Sequence, residues 1–388
     1  MHTTRRVFFL SAAAPALYLA ASEKNPVRVV AVPESGIQPQ IAVDESGLHL
    51  IYFTGDAKHG DVFYTRSRDF GATWTGPLRV NSQPNSAVAV GAIRGAQLSI
   101  GKSGRVHVAW NGSDLAQPRV TLNPKAGTFP MLYSRLNASG AAFEPQRNLM
   151  RETFGLDGGG SVTADREGNV YVAWHGGHPG APEGEAGRRV WVAKSKDDGS
   201  TFAMERPASP DSIGACGCCG MRIFADSKGA VYALFRSATN NVHRDIYLLR
   251  STDRAETFSC ARLHKWDINA CPMSSMAFLE SGNEVIGAWE TQTQIYFSAV
   301  SPGVDAQVLT PGGDNPKRKY PSLARNHRGE TLVAWIEGSG WGKGGVLGWQ
   351  IFDRAGRPLV SSTDRLATPT WSFPAAFTHP DGRFGILV

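Results

Sequence analysis

Five cysteines are the residues of this chain whose type and spacing most directly suggest chemistry. Three of them form a C-x-C-C motif at Cys216, Cys218 and Cys219, and Cys271 stands directly before Pro272 further along the chain. Thiolates are ligands for soft metal ions such as copper and zinc, and the thiols of exported proteins pair as disulfides. The motif therefore predicts either a metal site or a disulfide framework.

The two interpretations make different demands on other residues. Because five is an odd number, a disulfide framework leaves one thiol unpaired, and Cys260, which follows one of the repeated turns described below, is the expected one. A metal site would draw further ligands from His175, His178 or His243. The C-x-C-C spacing is not that of a zinc finger, so the sequence favours disulfides and leaves copper or zinc as the alternative.

Two histidines three residues apart form a second candidate site. His175 and His178 enclose two glycines directly after a β-rich segment that ends at Trp174. Imidazoles in such a loop can bind a metal ion or a phosphate-like anion, although a solvated pair of loop histidines is the simpler interpretation. Both are candidate ligand-binding residues.

A repeated turn marks the elements that must position these side chains. The pattern S-x-D-x-G-x-T-W/F occurs at 67–74, at 195–202 and, with Ala255 in place of the glycine, at 251–258. The Asp side chain can accept backbone N–H groups around a hairpin, the glycine supplies a positive φ, and the aromatic packs between strands. The pattern resembles the Asp-box (BNR) repeat of sialidase-like β-propellers.

Seven longer segments share a strand–turn–strand plan and recur at intervals of roughly 50–60 residues, the period of four-stranded propeller blades. They span 39–53, 95–110, 159–174, 219–235, 271–289, 320–335 and 373–388. We therefore predict an all-β propeller of seven four-stranded blades, with six, the number in sialidases, as the alternative. Residues 26–32 should pair with the last segment and close the ring, and almost no helix is expected.

Propeller geometry sorts the candidate residues by face. The start of each first strand and the end of each second strand should share one face, called upper, and the Asp boxes should lie on the lower face as structural turns. Loops on a rigid scaffold commonly carry function, so we expect the site in the upper funnel. The residues predicted there are Arg94, Asp157, His175, His178, Cys216, Cys218, Cys219, Arg236, Cys271, Glu290, Arg318, Lys319, Tyr320 and Glu337.

The segment around the cysteines carries a second resemblance. The C-x-C-C motif, then Arg236 between Phe and Ser, then Arg244-Asp245-Ile246, then the Cys-Pro pair resembles a signature of exported sialidase-like proteins whose activity is unassigned. Arg236, Arg244 and Asp245 bracket one predicted upper loop. They are candidates for ligand binding or for an Arg–Asp pair that stabilises the loop.

The resemblance to sialidases implies three arginines around a substrate carboxylate, a tyrosine nucleophile assisted by a glutamate, and an aspartic acid. The arginines would be Arg94, Arg236 and Arg318, and Tyr320 would act with Glu290 or Glu337. The chain departs from the family where Gln38-Pro39-Gln40-Ile41 replaces the expected Arg-Ile-Pro. Trp341, on a glycine-rich lip, could stack on a sugar ring.

These features predict a protein that binds, and as an enzyme would hydrolyse in the manner of an exo-sialidase, a small acidic glycan or similar anionic ligand in its funnel. One alternative is a copper- or zinc-binding protein that uses Cys216, Cys218, Cys219 and Cys271. The other is a non-catalytic interaction scaffold. We expect a monomer.

The N-terminal residues and the overall composition limit where the protein can be located and what it can bind. Residues 1–21, with Arg5-Arg6 ahead of an Ala-rich apolar stretch, resemble a twin-arginine (Tat) export signal. Residues 22–388 would then form a single periplasmic or secreted domain. The formal net charge is only +6, and no run of Lys and Arg suggests nucleic acid as a partner. No later apolar run reaches the ~18 residues of a membrane span.

Overall fold

Seven small sheets stand around a central channel in the computed structural model, which describes residues 26–303, 307–314 and 317–388. The predicted export signal at 1–21 lies outside these residues. The first strands of consecutive sheets contact one another, and that of the last sheet contacts that of the first. The fold is a seven-bladed β-propeller, so the prediction of seven blades is confirmed and the alternative of six is wrong.

The strands are numbered in chain order, and β1 (Val27–Val30) precedes the first blade. Blade 1 contains β2 (Ile37–Asp44), β3 (Gly47–Asp56), β4 (His59–Ser67) and β5 (Leu78–Arg79). Blade 2 contains β6 (Gln97–Ile100), β7 (Val106–Asn111), β8 (Met131–Arg135) and β9 (Arg147–Asn148). Blade 3 contains β10 (Ser161–Ala164), β11 (Val170–Gly176), β12 (Arg189–Ser195) and β13 (Arg206–Pro207).

The remaining blades follow the same plan. Blade 4 contains β14 (Arg222–Ala225), β15 (Val231–Arg236), β16 (Ile246–Ser251) and β17 (Ser259–His264). Blade 5 contains β18 (Ala277–Ser281), β19 (Glu284–Thr291) and β20 (Gln294–Ala299). Blade 6 contains β21 (Arg318–Arg325), β22 (Thr331–Glu337), β23 (Val346–Phe352) and β24 (Pro358–Ser361). Blade 7 contains β25 (Ala375–Thr378) and β26 (Phe384–Leu387).

Helical structure in the described part of the chain is limited to short 3₁₀ turns. They are Pro33–Ser35, Lys102–Gly104, Pro124–Ala126, Glu185–Gly187 and Asp211–Ile213. No helix among the described residues is long and apolar enough to cross a membrane.

The N-terminal strand closes the ring. β1 pairs with β26 over Val27–Val30 and supplies the third strand of blade 7, as the sequence predicts. The pairing is parallel, whereas neighbouring strands elsewhere in the described blades are antiparallel. Joining the two ends of the described chain in one sheet leaves no open gap in the ring.

Among the described residues, blades 5 and 7 have three strands each rather than four. In blade 7 the third strand is β1, and the part of the chain that the structure describes supplies no fourth. In blade 5 the fourth position holds a single bridge between Phe297 and Leu309. Proline and glycine, here at Pro302, Gly303 and Pro311, disfavour a continuous strand, which explains why only one bridge forms.

Tryptophans near the ends of the second strands hold neighbouring blades together. Trp110, Trp174, Trp289 and Trp335 are each at most 3% exposed and pack in apolar clusters shared by adjacent blades. Each buries on the order of 200 Å², worth roughly 5 kcal/mol at about 25 cal/mol/Å². These contacts fix the second strands and hence the positions of the residues that follow them.

The Asp boxes are structural turns after the third strands. Asp69 Oδ1 accepts bonds from Ser67 Oγ at 2.7 Å and from the Thr73 N–H at 2.8 Å, and its Oδ2 accepts one from Thr73 Oγ1 at 2.6 Å. These bonds, above all those from Thr73, lower the pKa of Asp69 to about 2. The other two boxes repeat the bonds, and Ala255 adopts the positive φ of 63° that its glycine counterparts supply.

The turn from the third strand to the fourth lies at the same end of a blade as the turn from the first to the second. This is the lower face. The upper face is the end at which first strands begin and second strands finish, and it carries the site described next.

Candidate functional site

Three sulfur atoms meet on the upper face, in the segment that leads into β14. Cys216 Sγ lies 3.3 Å from Cys218 Sγ and 3.5 Å from Cys219 Sγ. An S–S bond is about 2.05 Å long, so the three residues are thiols in this structure. In the described part of the chain they are the one group of three or more His, Cys, Asp or Glu side chains whose ligand atoms lie within 4.8 Å of one another.

Hydrogen bonds from other segments hold the backbone that carries these thiols. The N–H of Cys216 donates to the carbonyl of Arg236 at 2.9 Å, and that of Gly217 donates to Glu185 Oε1 at 2.5 Å. Gly217 has a steric reason to be glycine, because a Cβ there would lie 1.7 Å from Arg188 Nη1. The sulfur positions are therefore set by the protein itself.

The other two cysteines do not join this group. Cys271 is exposed, and Cys260 is half-buried on β17 in the fourth strand of its blade. The sequence predicts that Cys219 and Cys271 meet because they open neighbouring repeats. In the structure Cys219 instead accepts a hydrogen bond from the backbone N–H of Ser274, in the segment that leads into blade 5. The cluster thus has three sulfurs, and no disulfide is present among the described residues.

A buried ion pair stands beside the thiols. Arg236 at the end of β15 and Glu290 in β19 both have fully buried side chains, and Arg236 Nη2 lies 2.9 Å from Glu290 Oε2. Arg236 Nη1 also donates to the Arg244 carbonyl at 2.8 Å, and its guanidinium stacks 5.1 Å from the centre of the Trp266 ring. Burial raises the pKa of Glu290 to about 7, against the opposing effect of Arg236.

The electrostatics of the cluster favour a thiolate at Cys219. Burial raises the pKa of this thiol, but hydrogen bonds from Cys216 and Cys218, the charge of Arg236 and the Ser274 N–H together lower it well below the usual value. The Cys218 thiol shows the opposite behaviour: hydrogen bonds to the other two sulfurs raise its pKa. A low-pKa thiolate among cations is both nucleophilic and a good metal ligand.

His175 is a buried imidazole with no hydrogen-bond partner on either ring nitrogen among the described residues. It lies in β11 just after Trp174 and is 2% exposed. A Cβ placed on Gly158 would lie 3.0 Å from His175 Nε2 and 2.6 Å from the Cys219 carbonyl, so the ring borders the thiol segment. Burial, followed by the charge of Arg188, lowers the pKa of His175 to about 4, which keeps the ring neutral.

His178 takes a different direction from His175. Its ring contacts Trp191 edge to face at 5.5 Å, and Nε2 lies 4.0 Å from Asp211. The two histidines therefore do not form a pair, and only His175 faces the thiols.

The three arginines predicted to hold a carboxylate are engaged by internal partners. Arg94 forms an ion pair with Asp157 and donates to the Val90 carbonyl at 2.7 Å. Arg318 lies 3.3 Å from Glu337, stacks on a tryptophan and donates to the carbonyls of the 311–314 segment. Arg236 is committed to Glu290, so none of the three presents an open fork to the funnel.

Arg244 and Asp245 stabilise the loop that they bracket. Arg244 Nη1 lies 2.7 Å from Glu185 Oε2, and Asp245 Oδ1 accepts the N–H of Trp266 at 2.9 Å. Both side chains thus have partners inside the protein, and the partner of the arginine is Glu185 rather than Asp245.

Tyr320 and Trp341 border a recess next to the thiols. Tyr320 is buried, which raises the pKa of its hydroxyl, and the thiolate of Cys219 adds to this effect. Trp341 is 56% exposed and meets Trp371 edge to face at 6.5 Å. Met273 and Lys343 also line this recess. The exposed aromatic lip expected from the sequence is present.

Sequence reasoning missed Glu185, Arg188 and Ser274 as parts of the site. Glu185 and Arg188 lie in a loop rich in Gly and Pro with no repeat pattern, and Ser274 is one of two adjacent serines. No local signal marks them, since their roles depend on contacts with the segment around Gly217 and Cys219.

Solved structures with this architecture include sialidases. A protein of unknown function from Dyadobacter fermentans aligns over 86% of this chain and 96% of its own, at 15% identity and a TM-score of 0.50. Trypanosoma rangeli sialidase aligns over 81% of this chain and 54% of its own, at 13% identity and a TM-score of 0.53. A mutant of the NanB sialidase from Streptococcus pneumoniae aligns over 78% of this chain and 65% of its own, at 10% identity and a TM-score of 0.50.

No protein-family model and no curated protein matches the sequence. At identities this low the structural likeness shows the fold alone: the chain has the sialidase-like β-propeller fold. Its chemistry has to be argued from its own side chains.

Proposed function

We propose that this protein binds a thiophilic metal ion, copper or zinc, through Cys216, Cys218 and Cys219 on the upper face of the propeller. The observation that carries the proposal is the convergence of three thiols: the sulfurs of Cys218 and Cys219 lie 3.3 and 3.5 Å from Cys216 Sγ, in a segment whose backbone is fixed by other parts of the fold. Thiolate ligands select copper(I) and zinc over harder ions.

The distances suit such an ion after a small adjustment. Sulfur ligands at about 2.3 Å from a tetrahedral zinc ion lie roughly 3.8 Å from one another. The sulfurs of this cluster are a few tenths of an ångström closer, so rotations of the thiol side chains are sufficient. His175, neutral and unpartnered beside the thiol segment, is not within 4.8 Å of all three sulfurs and would have to move to become a fourth ligand for zinc.

The surrounding charge supports bound thiolates. Arg236 lowers the pKa of Cys219. Lys319 lies close enough to interact electrostatically with Cys218 and Cys219, and its Nζ donates to the Pro272 carbonyl at 2.5 Å. Three thiolates around a monovalent or divalent ion carry net negative charge, which these cations offset.

Metal loading tests the proposal. Protein purified under reducing, anaerobic conditions is loaded with zinc or copper(I), desalted and measured by elemental analysis. We expect one ion per chain, lost in Cys216→Ser, Cys218→Ser and Cys219→Ser and retained in the matched control Cys260→Ser. Stoichiometric binding that survives all three site substitutions, or no binding by the fully reduced protein, would refute the proposal.

An acidic glycan at the funnel is the second candidate, favoured by the exposed Trp341 beside Lys343 in the recess. Because Arg94, Arg236 and Arg318 already have partners inside the protein, the site favours binding of a glycan over sialidase catalysis. Titration with sialyllactose, compared between wild type and Trp341→Ala, tests binding, and a fluorogenic sialoside tests turnover. Absence of both would remove this candidate and leave the metal site unaffected.

A further inference from the structure

We propose that the central channel holds a second, separate site, in which Arg222 binds a small anion with carboxylate or oxyanion geometry. The channel is lined by the first strands of all seven blades. Arg222 is the first residue of β14 and lines both the channel and its narrow upper end.

Arg222 brings an uncompensated charge into this channel. The other charged lining residues are Glu280 and Arg325. Arg325 lies 2.8 Å from Glu284, and Glu280 accepts bonds from Ser227. Arg222 donates from Nε to the Met276 carbonyl at 3.2 Å, and no carboxylate of the described residues lies within ion-pair distance of it.

The placement of Glu280 along its strand confirms that it does not neutralise Arg222. Arg222 begins a first strand at the upper end, whereas Glu280 stands near the end of β18. At about 3.3 Å per residue, three residues of a strand separate the two levels by about 10 Å. Arg222 thus lies at a level of the channel whose other lining residues are neutral.

Arg222 is partly buried at the channel wall, and a partly desolvated charge is less stable when no counter-charge joins it. Burial lowers the pKa of Arg222 to about 10, with no acidic neighbour contributing. The guanidinium therefore remains charged at neutral pH. Water in the channel solvates the exposed part of the guanidinium, and an anion from solution would add the counter-charge that the walls lack. The planar fork of arginine suits a carboxylate or an oxyanion.

The channel, with a volume of about 590 Å³, has the room for such a ligand, and polar groups stand at its narrow upper end, where the free volume is only about 10 Å³. Gly95, Gly160 and Gly220 line it and bring no side chains, while Ser275 and Gln97 bring polar ones. Gln97 Oε1 is buried without a hydrogen-bond partner among the described residues. A turn of this amide by 180° would present its NH₂ group to an anion, at the loss of one long bond of 3.3 Å to the Gly95 carbonyl.

The anion site does not depend on the thiols. Arg222 reaches away from its own blade to the carbonyl of Met276, which leads into blade 5. The two sites are neighbours, since Ser274 bonds to Cys219 and the next residue, Ser275, lines the channel. Loss of metal binding would leave the charge argument for Arg222 unchanged.

Thermal unfolding in sulfate and in acetate, at constant ionic strength, tests the proposal and separates inorganic oxyanions from carboxylates. We expect a saturable rise of Tm with at least one of them. Arg222→Met should raise the apparent Kd at least about tenfold, and Arg222→Lys should do so less. Arg325→Gln, which changes a paired arginine of the same channel, should respond as wild type does.

A bromide-soaked crystal of the wild-type protein gives a second test that needs no variant. We expect an anomalous peak beside the Arg222 guanidinium, whether or not the Arg222→Met chain folds. Absence of this peak, or an equal anion response of Arg222→Met and wild type, would overturn the proposal.

Discussion

Glu185 ties the thiol segment to the rest of the propeller, and removal of its carboxylate should weaken both folding and metal binding. Its Oε1 accepts the N–H of Gly217 at 2.5 Å, and its Oε2 lies 2.7 Å from Arg244 Nη1. Glu185→Ala removes both contacts. Glu185→Gln keeps an acceptor for Gly217 and removes the charge opposite Arg244.

The burial of the two partners sets the magnitude. The side chain of Arg244 is 5% exposed and that of Glu185 is 20% exposed. Removing one partner of a buried ion pair costs 3–5 kcal/mol, and the partial exposure of Glu185 places Glu185→Ala at roughly 3 kcal/mol of unfolding free energy. Glu185→Gln should cost roughly 1.5 kcal/mol, because one charge-assisted hydrogen bond is weakened. Loss of a partner that orients metal ligands typically lowers affinity 10- to 100-fold.

Urea unfolding of the metal-free protein measures the first effect, and chelator competition measures the metal Kd. Glu183→Gln is the matched control, because Glu183 is exposed in the same loop, and it should stay within about 0.5 kcal/mol of wild type. If Glu185→Ala behaved as this control does in both assays, the tether between Glu185 and the thiol segment would be refuted.

Three further substitutions, in an Asp box, in the thiol segment and at a buried histidine, have separate expected effects. Asp69→Ala should lower Tm and leave the metal Kd unchanged, because the Asp boxes lie on the face opposite the thiols; a changed Kd would contradict this. Gly217→Ala should weaken metal binding several-fold in chelator competition, since its Cβ would displace Arg188. Burial lowers the pKa of His107, against the effect of Asp198, so its contribution to stability is full above pH 6.5. That contribution is lost as the pH falls towards the folded-state pKa, and urea unfolding should show a weaker acid dependence in His107→Gln.

The fold was open to prediction because its determinants are local and repeated. Asp69 and its counterparts make their turn bonds within a few residues, and the aromatic near the end of a second strand, such as Trp174, recurs in the first six of the seven repeats. These signals gave the blade number and the faces. The parallel direction of β1 against β26 was not predictable, because a short apolar strand can add to an edge in either direction.

The site was only partly open to prediction because its contacts are distant in sequence. C-x-C-C indicates clustered thiols, and the structure brings those three together. The pairing of Arg236 with Glu290, 54 residues apart, depends on how two blades pack. The same holds for Glu185 and Arg244, so arginines that seemed available for a substrate carboxylate have partners inside the protein.

X-ray absorption at the metal edge, on protein loaded under reducing conditions, tests the metal site most directly. We predict three sulfur ligands at about 2.3 Å from the ion, the same spectrum in Cys260→Ser, and no bound ion to give this spectrum in Cys216→Ser. A spectrum with only nitrogen and oxygen ligands, or one unchanged in Cys216→Ser, would contradict a thiolate metal centre on this propeller.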